Sequence, residues 1–100
     1  MATLHLLSHS PFTDGRLASC LRLLTVDDAL LLSGDAVYAL QEGTNQRQSL
    51  ESLPDGIGLF ALDEDLDARG LDRLPARVQS VDYAGFVALC CRYARTNAWL

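Results

Sequence analysis

The sequence predicts an α/β protein: a single three-layer domain, with a mainly parallel sheet of about four strands and helices on both faces. Short apolar runs without polar alternation, as strands buried on both faces require, recur along the chain. Segments with helical spacing or capping residues separate these runs, and such alternation implies right-handed crossovers and parallel pairing. Since no internal repeat or Pro/Gly-rich linker divides it, the chain is predicted to form one domain over residues 1–100.

The first half of the chain predicts two strands and two helices. Thr3 to Leu7 is an apolar run that ends in a Ser-His-Ser-Pro turn, which indicates a strand. Asp14 is predicted to cap a helix running to about Leu24, because the apolar residues that follow recur at i, i+3, i+4 and i+7. Ala29 to Leu32 is the second predicted strand, and a short helix over Ala36 to Leu40 follows it.

The second half predicts two further strands, Ile57 to Leu62 and Val78 to Val81. Residues 41–54 are polar and poorly periodic, which predicts a loop with room for one helical turn. Asp65 is predicted to be the N-cap of a short helix between the two strands. Tyr83 to Ala94 has helical spacing of apolar residues and is predicted to close the domain as a helix.

Composition and charge restrict the function classes. The hydrophobic share is 49% and the mean hydropathy is +0.10, which predicts association with other subunits. The net charge is −5, with eight arginines and no lysine, so direct binding to nucleic acid is not expected. The apolar runs are too short to span a bilayer, so no membrane association is expected. The amino-terminal residues lack the pattern of a signal peptide, which predicts a cytoplasmic protein.

Four stretches of the chain, in order, resemble the TusB/DsrH family of small sulfur-relay proteins. They are similar to the family's opening strand with its Ser-Pro turn, its second strand with a Gly-Asp turn, its acidic turn with an Ala-Arg-Gly-Leu ending, and its closing helix. In this sequence they are Leu4 to Pro11, Asp28 to Leu32 followed by Gly34 to Val37, Leu62 to Leu71, and Asp82 to Leu89 followed by Ala98-Trp99. The resemblance covers nearly the whole chain.

The resemblance implies an accessory or non-catalytic subunit of a complex that relays persulfide sulfur for 2-thiolation of the tRNA wobble uridine. The implied partners are two related DsrE/DsrF-like (TusD/TusC-like) subunits in a dimer of heterotrimers, and a small sulfur-acceptor protein of the TusE/DsrC type. The main catalytic cysteine is implied to lie on another subunit. Two alternatives stay open: a DsrH-type subunit of a dissimilatory sulfur-oxidation complex with Cys20 as persulfide carrier, and a purely structural interaction module.

Cys20 is the candidate catalytic residue of this chain. DsrH-type members of the family have a cysteine in this part of the first helix, whereas many TusB-type members do not. A persulfide carrier needs an exposed thiol with a lowered pKa. Cys20 shares the apolar stripe of its helix with Leu17 and Leu21, a position that also suits a core thiol. Cys90 and Cys91 are adjacent and form no Cys-x-x-Cys motif, so they are predicted to pack.

His9, Asp35, Asp63 and Glu64 are the candidate partner-binding residues. Each follows a predicted strand, and loops at the carboxyl ends of parallel strands form the working edge of an α/β sheet. Carboxylates gathered there would suit a basic partner surface. No Cys/His/Asp cluster has metal-ligand spacing and no Gly-rich phosphate loop is present, so neither a metal nor a cofactor is expected.

Overall fold

The computed structural model of the protein describes residues 2–99. The five strands are β1 Thr3–Leu7, β2 Ala29–Leu32, β3 Gly58–Leu62, β4 Val78–Val81 and β5 Arg95–Trp99. The helices are α1 Arg16–Leu23, a 3₁₀ helix Gly34–Leu40, α2 Asn45–Glu51, α3 Asp63–Ala68 and α4 Tyr83–Arg92. Strands and helices alternate through most of the chain, and the predicted α/β class is confirmed.

The strands form one sheet in the order β4-β3-β2-β1-β5, and every neighbouring pair is parallel. Strand β2 lies at the centre, and all four of its residues are buried. Its Ala29 pairs with Leu4 of β1 on one side and with Gly58 of β3 on the other. Strand β2 is thus enclosed by a strand on each side and by helices above and below the sheet, which explains its continuous apolar sequence.

The sheet has five strands, one more than predicted. The predicted closing helix ends at Arg92, because Tyr93 takes up an extended backbone conformation (φ −93°, ψ 146°). The chain then forms β5, which pairs with β1 over its whole length. Residues Arg95 to Ala98 are exposed and mostly polar, so β5 lacks the apolar run or alternation by which a strand is found.

The two faces of the sheet are covered unequally. Helices α1, α2, α3 and the 3₁₀ helix pack on one face and form the larger core, while within residues 2–99 the other face is covered by α4 alone. The larger core includes Leu7, Leu17, Cys20, Leu30, Leu32, Val37, Leu50, Leu59 and Leu66. The smaller core comprises Leu4, Ala29, Leu31, Phe60 and Leu89. The three-layer prediction is confirmed, with a thin layer on the α4 side.

Helices α1 and α2 differ from the prediction. Helix α1 begins at Arg16 with Gly15 as its N-cap, so Asp14 lies one residue before the cap. The carboxylate of Asp14 nevertheless accepts a hydrogen bond from the backbone N–H of Arg16 (3.0 Å). The predicted loop over residues 41–54 contains α2, whose N-cap Thr44 accepts from the backbone N–H of Arg47 (3.2 Å).

A buried polar network joins the amino ends of β1 and β2. Asp28, only 3% exposed, accepts from the backbone N–H of Thr3 (2.9 Å) and from the backbone and hydroxyl of Thr25 (both 3.1 Å). His5 Nε2 lies 3.5 Å from the Asp28 carboxylate, and His5 Nδ1 accepts from Trp99 Nε1 (3.1 Å). Burial alone would raise the pKa of Asp28, but the hydrogen bonds from Thr3 and Thr25 lower it overall.

The guanidinium of Arg77, just before β4, binds the carbonyl groups at the end of α2 and in the turn into β3. The guanidinium lies 2.8 Å from the carbonyl oxygen of Pro54, 3.0 Å from that of Ile57, 3.3 Å from that of Glu51 and 3.5 Å from that of Leu50. It also donates to the carbonyl of Leu53. The carbonyls of Leu50 and Pro54 also accept from the backbone N–H groups of Leu53 (3.3 Å) and Ile57 (3.1 Å). The guanidinium therefore adds donors at a helix end, where the last carbonyls lack partners within the helix.

Candidate functional site

The loops at the carboxyl ends of β1, β2 and β3 lie against one another. The backbone N–H of Ser33 donates to the carbonyl of Leu7 (2.9 Å). Gly34 has φ +51°, and a Cβ there would come within 3.1 Å of the Ser8 carbonyl oxygen, so glycine suits this close approach. The backbone N–H of Gly34 donates to Asp65 Oδ2 (2.8 Å). These contacts bring the three predicted loops to one edge of the sheet.

Asp35 is paired with a cation, Arg69, at this edge. Arg69 Nη2 lies 2.8 Å and Nε 3.2 Å from the same carboxylate oxygen of Asp35. The guanidinium also donates to the carbonyl of Asp65 (3.1 Å) and lies 5.7 Å from the centre of the Tyr38 ring. The hydrogen bond to Asp35 raises the pKa of Arg69 further. A partner protein at this edge would therefore contact the Asp35–Arg69 ion pair rather than an unpaired carboxylate.

The prediction of Asp65 as a helix N-cap is wrong. Helix α3 begins at Asp63, directly after β3, and its N-cap is Leu62, which provides no side-chain hydrogen bond. Asp65 lies inside the first turn, and its carboxylate accepts from the backbone N–H of Gly34 and pairs with Arg69 (3.7 Å) instead of capping the helix. Asp65 and Gly34 are far apart in sequence, so no local sequence pattern predicts this contact. Asp65 ties two loops of the edge together.

Asp63 and Glu64, here called the acidic turn, are the carboxylates of this edge that remain without a cation. Asp63 is half-buried and Glu64 is exposed. Within residues 2–99, no arginine or histidine lies within ion-pair distance of either side chain. Their place in the first turn of α3 is favourable, because carboxylates stabilise the amino end of a helix.

His9 lies in the loop after β1, and its side chain is 44% exposed. Its Nδ1 is 4.0 Å from Asp14, a carboxylate that also pairs with the guanidinium of Arg16. The pKa of Asp14 is lowered, chiefly by the hydrogen bond from the backbone of Arg16. His9 therefore sits at the same edge as the acidic turn, beside the start of α1.

Cys20 lies within the larger core and has no exposed surface. Burial, and secondarily the negative charge of Asp28, raises the pKa of its thiol to about 12. Sulfur transfer needs a reachable thiolate, because the thiolate is the attacking species. These surroundings give Cys20 the properties of an inert core thiol.

A cleft of about 310 Å³ opens between the edge loops and α4. It is lined by Leu6, Ser8, Leu31, Ser33, Gly34, Leu62, Asp65, Tyr83 and Phe86. Sequence reasoning did not assign Tyr83 and Phe86 to the site, since it placed them only on a closing helix. The lining contains neither cysteine nor histidine, and most of its side chains are apolar. The cleft is suited to holding an apolar group rather than to nucleophilic chemistry.

Within residues 2–99 no three His, Cys, Asp or Glu side chains lie close enough together to hold a metal ion. Cys90 is half-buried, Cys91 is exposed, and both are free thiols on α4. In the same range, the helices are too short or too polar to cross a membrane.

Comparison with known proteins places these features in context. The family described as DsrH like protein matches residues 9–96. Protein TusB of Escherichia coli O81 (strain ED1a) is 43% identical over 98 residues, which cover 96% of this chain and 99% of that relative. Protein TusB of Salmonella enteritidis PT4 (strain P125109) is 46% identical over 80 residues, which cover 79% of this chain and 82% of that relative.

The crystal structure of the ychN protein from E. coli has a similar fold. It superimposes with a TM-score of 0.82 and covers 99% of this chain and 100% of its own. Its sequence is 21% identical to this one, so the likeness is one of architecture.

Proposed function

The chain belongs to the DsrH-like family, and from this premise we propose that it is an accessory, non-catalytic subunit of a cytoplasmic sulfur-relay complex. The complex would serve 2-thiolation of the tRNA wobble uridine, a branch supported by near full-length similarity to relatives named TusB. The proposed partners are two related α/β subunits, in a dimer of heterotrimers, and a small sulfur-acceptor protein. Because this chain carries a net charge of −5, contact with the RNA is assigned to other proteins.

The observation that carries the non-catalytic assignment is the burial of Cys20. A sulfur carrier attacks the outer sulfur of a persulfide with its thiolate, takes up that sulfur and releases the donor thiol. A fully buried thiol with a pKa of about 12 provides neither access nor a useful thiolate fraction near neutral pH. The alternative of a DsrH-type carrier depends on Cys20, so the same surroundings weigh against it.

We place the docking of a partner at the edge formed by the loops after β1, β2 and β3. The acidic turn supplies two carboxylates without a cation in the described chain, which suits a basic patch. The neighbouring cleft of about 310 Å³ would receive an apolar side chain of the same partner. His9 and the Asp35–Arg69 pair would contribute polar contacts at the rim.

A Cys20→Ala variant tests the non-catalytic assignment. We expect the complex containing this variant to pass sulfur to its acceptor at the wild-type rate, since only a buried contact is lost. The variant itself should be destabilised by about 1 kcal/mol through the missing sulfur atom. Mass spectrometry of the wild-type complex after persulfide loading should show added sulfur on a partner subunit and none on Cys20. Added sulfur on Cys20, with relay lost in the variant and assembly intact, would establish the carrier alternative.

The double variant Asp63→Ala with Glu64→Ala tests the docking edge. We expect it to associate with its partner about tenfold more slowly at low salt, because charge complementarity acts mainly on the association rate. The difference should shrink as salt is raised, while the melting temperature stays near that of the wild type. The matched control is Asp55→Ala with Asp72→Ala, which removes the same number of negative charges at exposed positions outside the acidic turn. If both double variants associate equally slowly, the slower association rate is an effect of net charge, and a specific docking edge is excluded.

A further inference from the structure

Strand β5 lies at the edge of the sheet, next to β1, and has few side-chain contacts with the rest of the molecule. Its residues Arg95 to Ala98 are exposed. The indole of Trp99, at the end of the strand, packs partly against the larger core. Because segments with little apolar burial open easily, the contacts of Trp99 should decide how firmly β5 is held beyond its backbone pairing.

The indole of Trp99 is hydrogen-bonded to a buried histidine of the neighbouring strand. Trp99 Nε1 donates to Nδ1 of His5 (3.1 Å), and the two rings are tilted, with centroids 6.2 Å apart. His5 lies on β1 and is only 6% exposed. This hydrogen bond between Trp99 and His5, here called the β5 latch, therefore joins the end of the edge strand to the interior of the sheet.

The β5 latch fixes which nitrogen of His5 carries the proton. An indole N–H can only donate, so His5 Nδ1 must be the unprotonated, accepting nitrogen. The proton of the neutral ring is then on Nε2, which lies 3.5 Å from the carboxylate of Asp28. A second proton can be added only at Nδ1, where it would meet the N–H of Trp99. The β5 latch and the charged form of His5 therefore exclude each other.

The titratable and charged neighbours of His5 favour proton uptake on balance. Burial alone would raise the pKa of Asp28, but hydrogen bonds from the backbone hold it below the ordinary value of 3.8, so this carboxylate is ionised wherever an imidazole titrates. Burial raises the pKa of the Cys20 thiol on α1 to about 12, so this neighbour is uncharged. Arg95, which pairs with Thr3 on β1, is exposed, and water weakens its repulsion. Strand β2 and the buried side chains of α1 are otherwise apolar.

We propose that the β5 latch is sensitive to pH: when His5 takes up one proton from solvent at Nδ1, the indole of Trp99 is released and β5 loosens from β1. At neutral pH the uncharged ring accepts from Trp99 and the latch is closed. In mildly acid solution the charged ring keeps its contact with Asp28 and can no longer accept, so the polar edge strand loses its anchor. Loosening β5 uncovers backbone groups at this edge of β1. The device belongs to this chain alone and does not depend on the proposed role in sulfur relay.

A pH titration of the full chain tests the proposal, because Trp99 is the single tryptophan of the sequence. We expect its indole N–H resonance and its fluorescence to change in one step between about pH 7.5 and pH 5, the range in which imidazoles titrate. The emission should move to longer wavelength as the indole reaches water. The ring of His5, followed by NMR, should titrate over the same range.

The two histidines of the chain provide a matched pair of variants. His5→Asn keeps a neutral acceptor near the position of Nδ1 and cannot be protonated, so its Trp99 signals should stay constant over this range. His9→Asn removes the exposed histidine, and its Trp99 signals should titrate like those of the wild type. At about pH 5.5 the amides of β5 should exchange roughly tenfold faster in the wild type than in His5→Asn, while those of β2 exchange at equal rates. Circular dichroism of each variant verifies that the fold is retained.

Trp99→Phe tests the competition between the latch and the proton directly, because it removes the donor and keeps an aromatic ring. The titration midpoint of His5 should rise by roughly 0.5–1 pH unit, since a hydrogen bond to the neutral ring no longer opposes protonation. An unchanged midpoint would overturn the proposal. So would a wild type whose His5 ring titrates with no change at Trp99, a His5 ring that stays neutral down to about pH 5, or a change at Trp99 that persists in His5→Asn.

Discussion

Replacing Asp28 with alanine is expected to lower the free energy of unfolding by about 3 kcal/mol. The carboxylate accepts three hydrogen bonds, from Thr3 and from the backbone and hydroxyl of Thr25, in a position only 3% exposed. Hydrogen bonds to a charged group contribute more than neutral ones, and the donors left without a partner would add to the loss. The variant also leaves His5 without its neighbouring carboxylate at 3.5 Å.

The same carboxylate makes stability depend on pH in the acid range. The pKa of Asp28 is lower in the folded protein than the ordinary value of 3.8, so its ionised form favours folding. This contribution is fully present above about pH 4 and is lost as the pH falls through the lowered pKa. Asp28→Asn should flatten the acid part of the stability profile, while the wild type loses stability there.

Urea denaturation of the full chain at pH 7 and at a series of acid pH values measures both effects. Thr25→Val removes only the hydroxyl donor and should cost about 1 kcal/mol. Asp72→Ala, at an exposed position, serves as the control and should stay within about 0.5 kcal/mol of the wild type. If Asp28→Ala is as stable as that control, the network at the amino ends of β1 and β2 does not stabilise the fold.

Arg77→Ala is expected to lower the free energy of unfolding by about 2–4 kcal/mol. The guanidinium binds carbonyls at the end of α2 and in the turn before β3, at distances that include 2.8 Å to Pro54 and 3.0 Å to Ile57. Removing it takes the side-chain donor away from the partly buried carbonyls of Leu53 and Ile57, and such a loss is costly. Amide hydrogen exchange should therefore accelerate in α2 and in the turn into β3 more than in β1 and β2.

Two further variants separate this role of Arg77 from a general effect of charge. Arg73→Ala removes an arginine whose side chain is 82% exposed, and its stability should stay close to that of the wild type. Arg77→Lys keeps the charge but lacks the planar set of donors, so it should recover less than half of the loss. Equal stabilities for Arg77→Ala and Arg73→Ala would show that these hydrogen bonds contribute little.

The sequence by itself determined the class of this protein and its inner strands. The runs at Ala29–Leu32 and Gly58–Leu62 are apolar at nearly every position, and only strands covered on both faces require this. The placement of His9, Asp35, Asp63 and Glu64 at one edge also followed from the alternation of strands and helices, since parallel strands end on the same side. These features depend on local pattern and on the handedness of connections.

Tertiary structure alone decided the features that rest on contacts between distant residues. Strand β5 is polar and exposed, and pairing with β1 makes it a strand. The position of Cys20 on an apolar stripe suited both a carrier and a core thiol until the packing of α1 showed it to be buried. The carboxylate of Asp65 accepts a hydrogen bond from the backbone of Gly34 rather than capping its own helix. In each case the residues that make the deciding contact lie far apart in sequence, and local propensity does not predict such contacts.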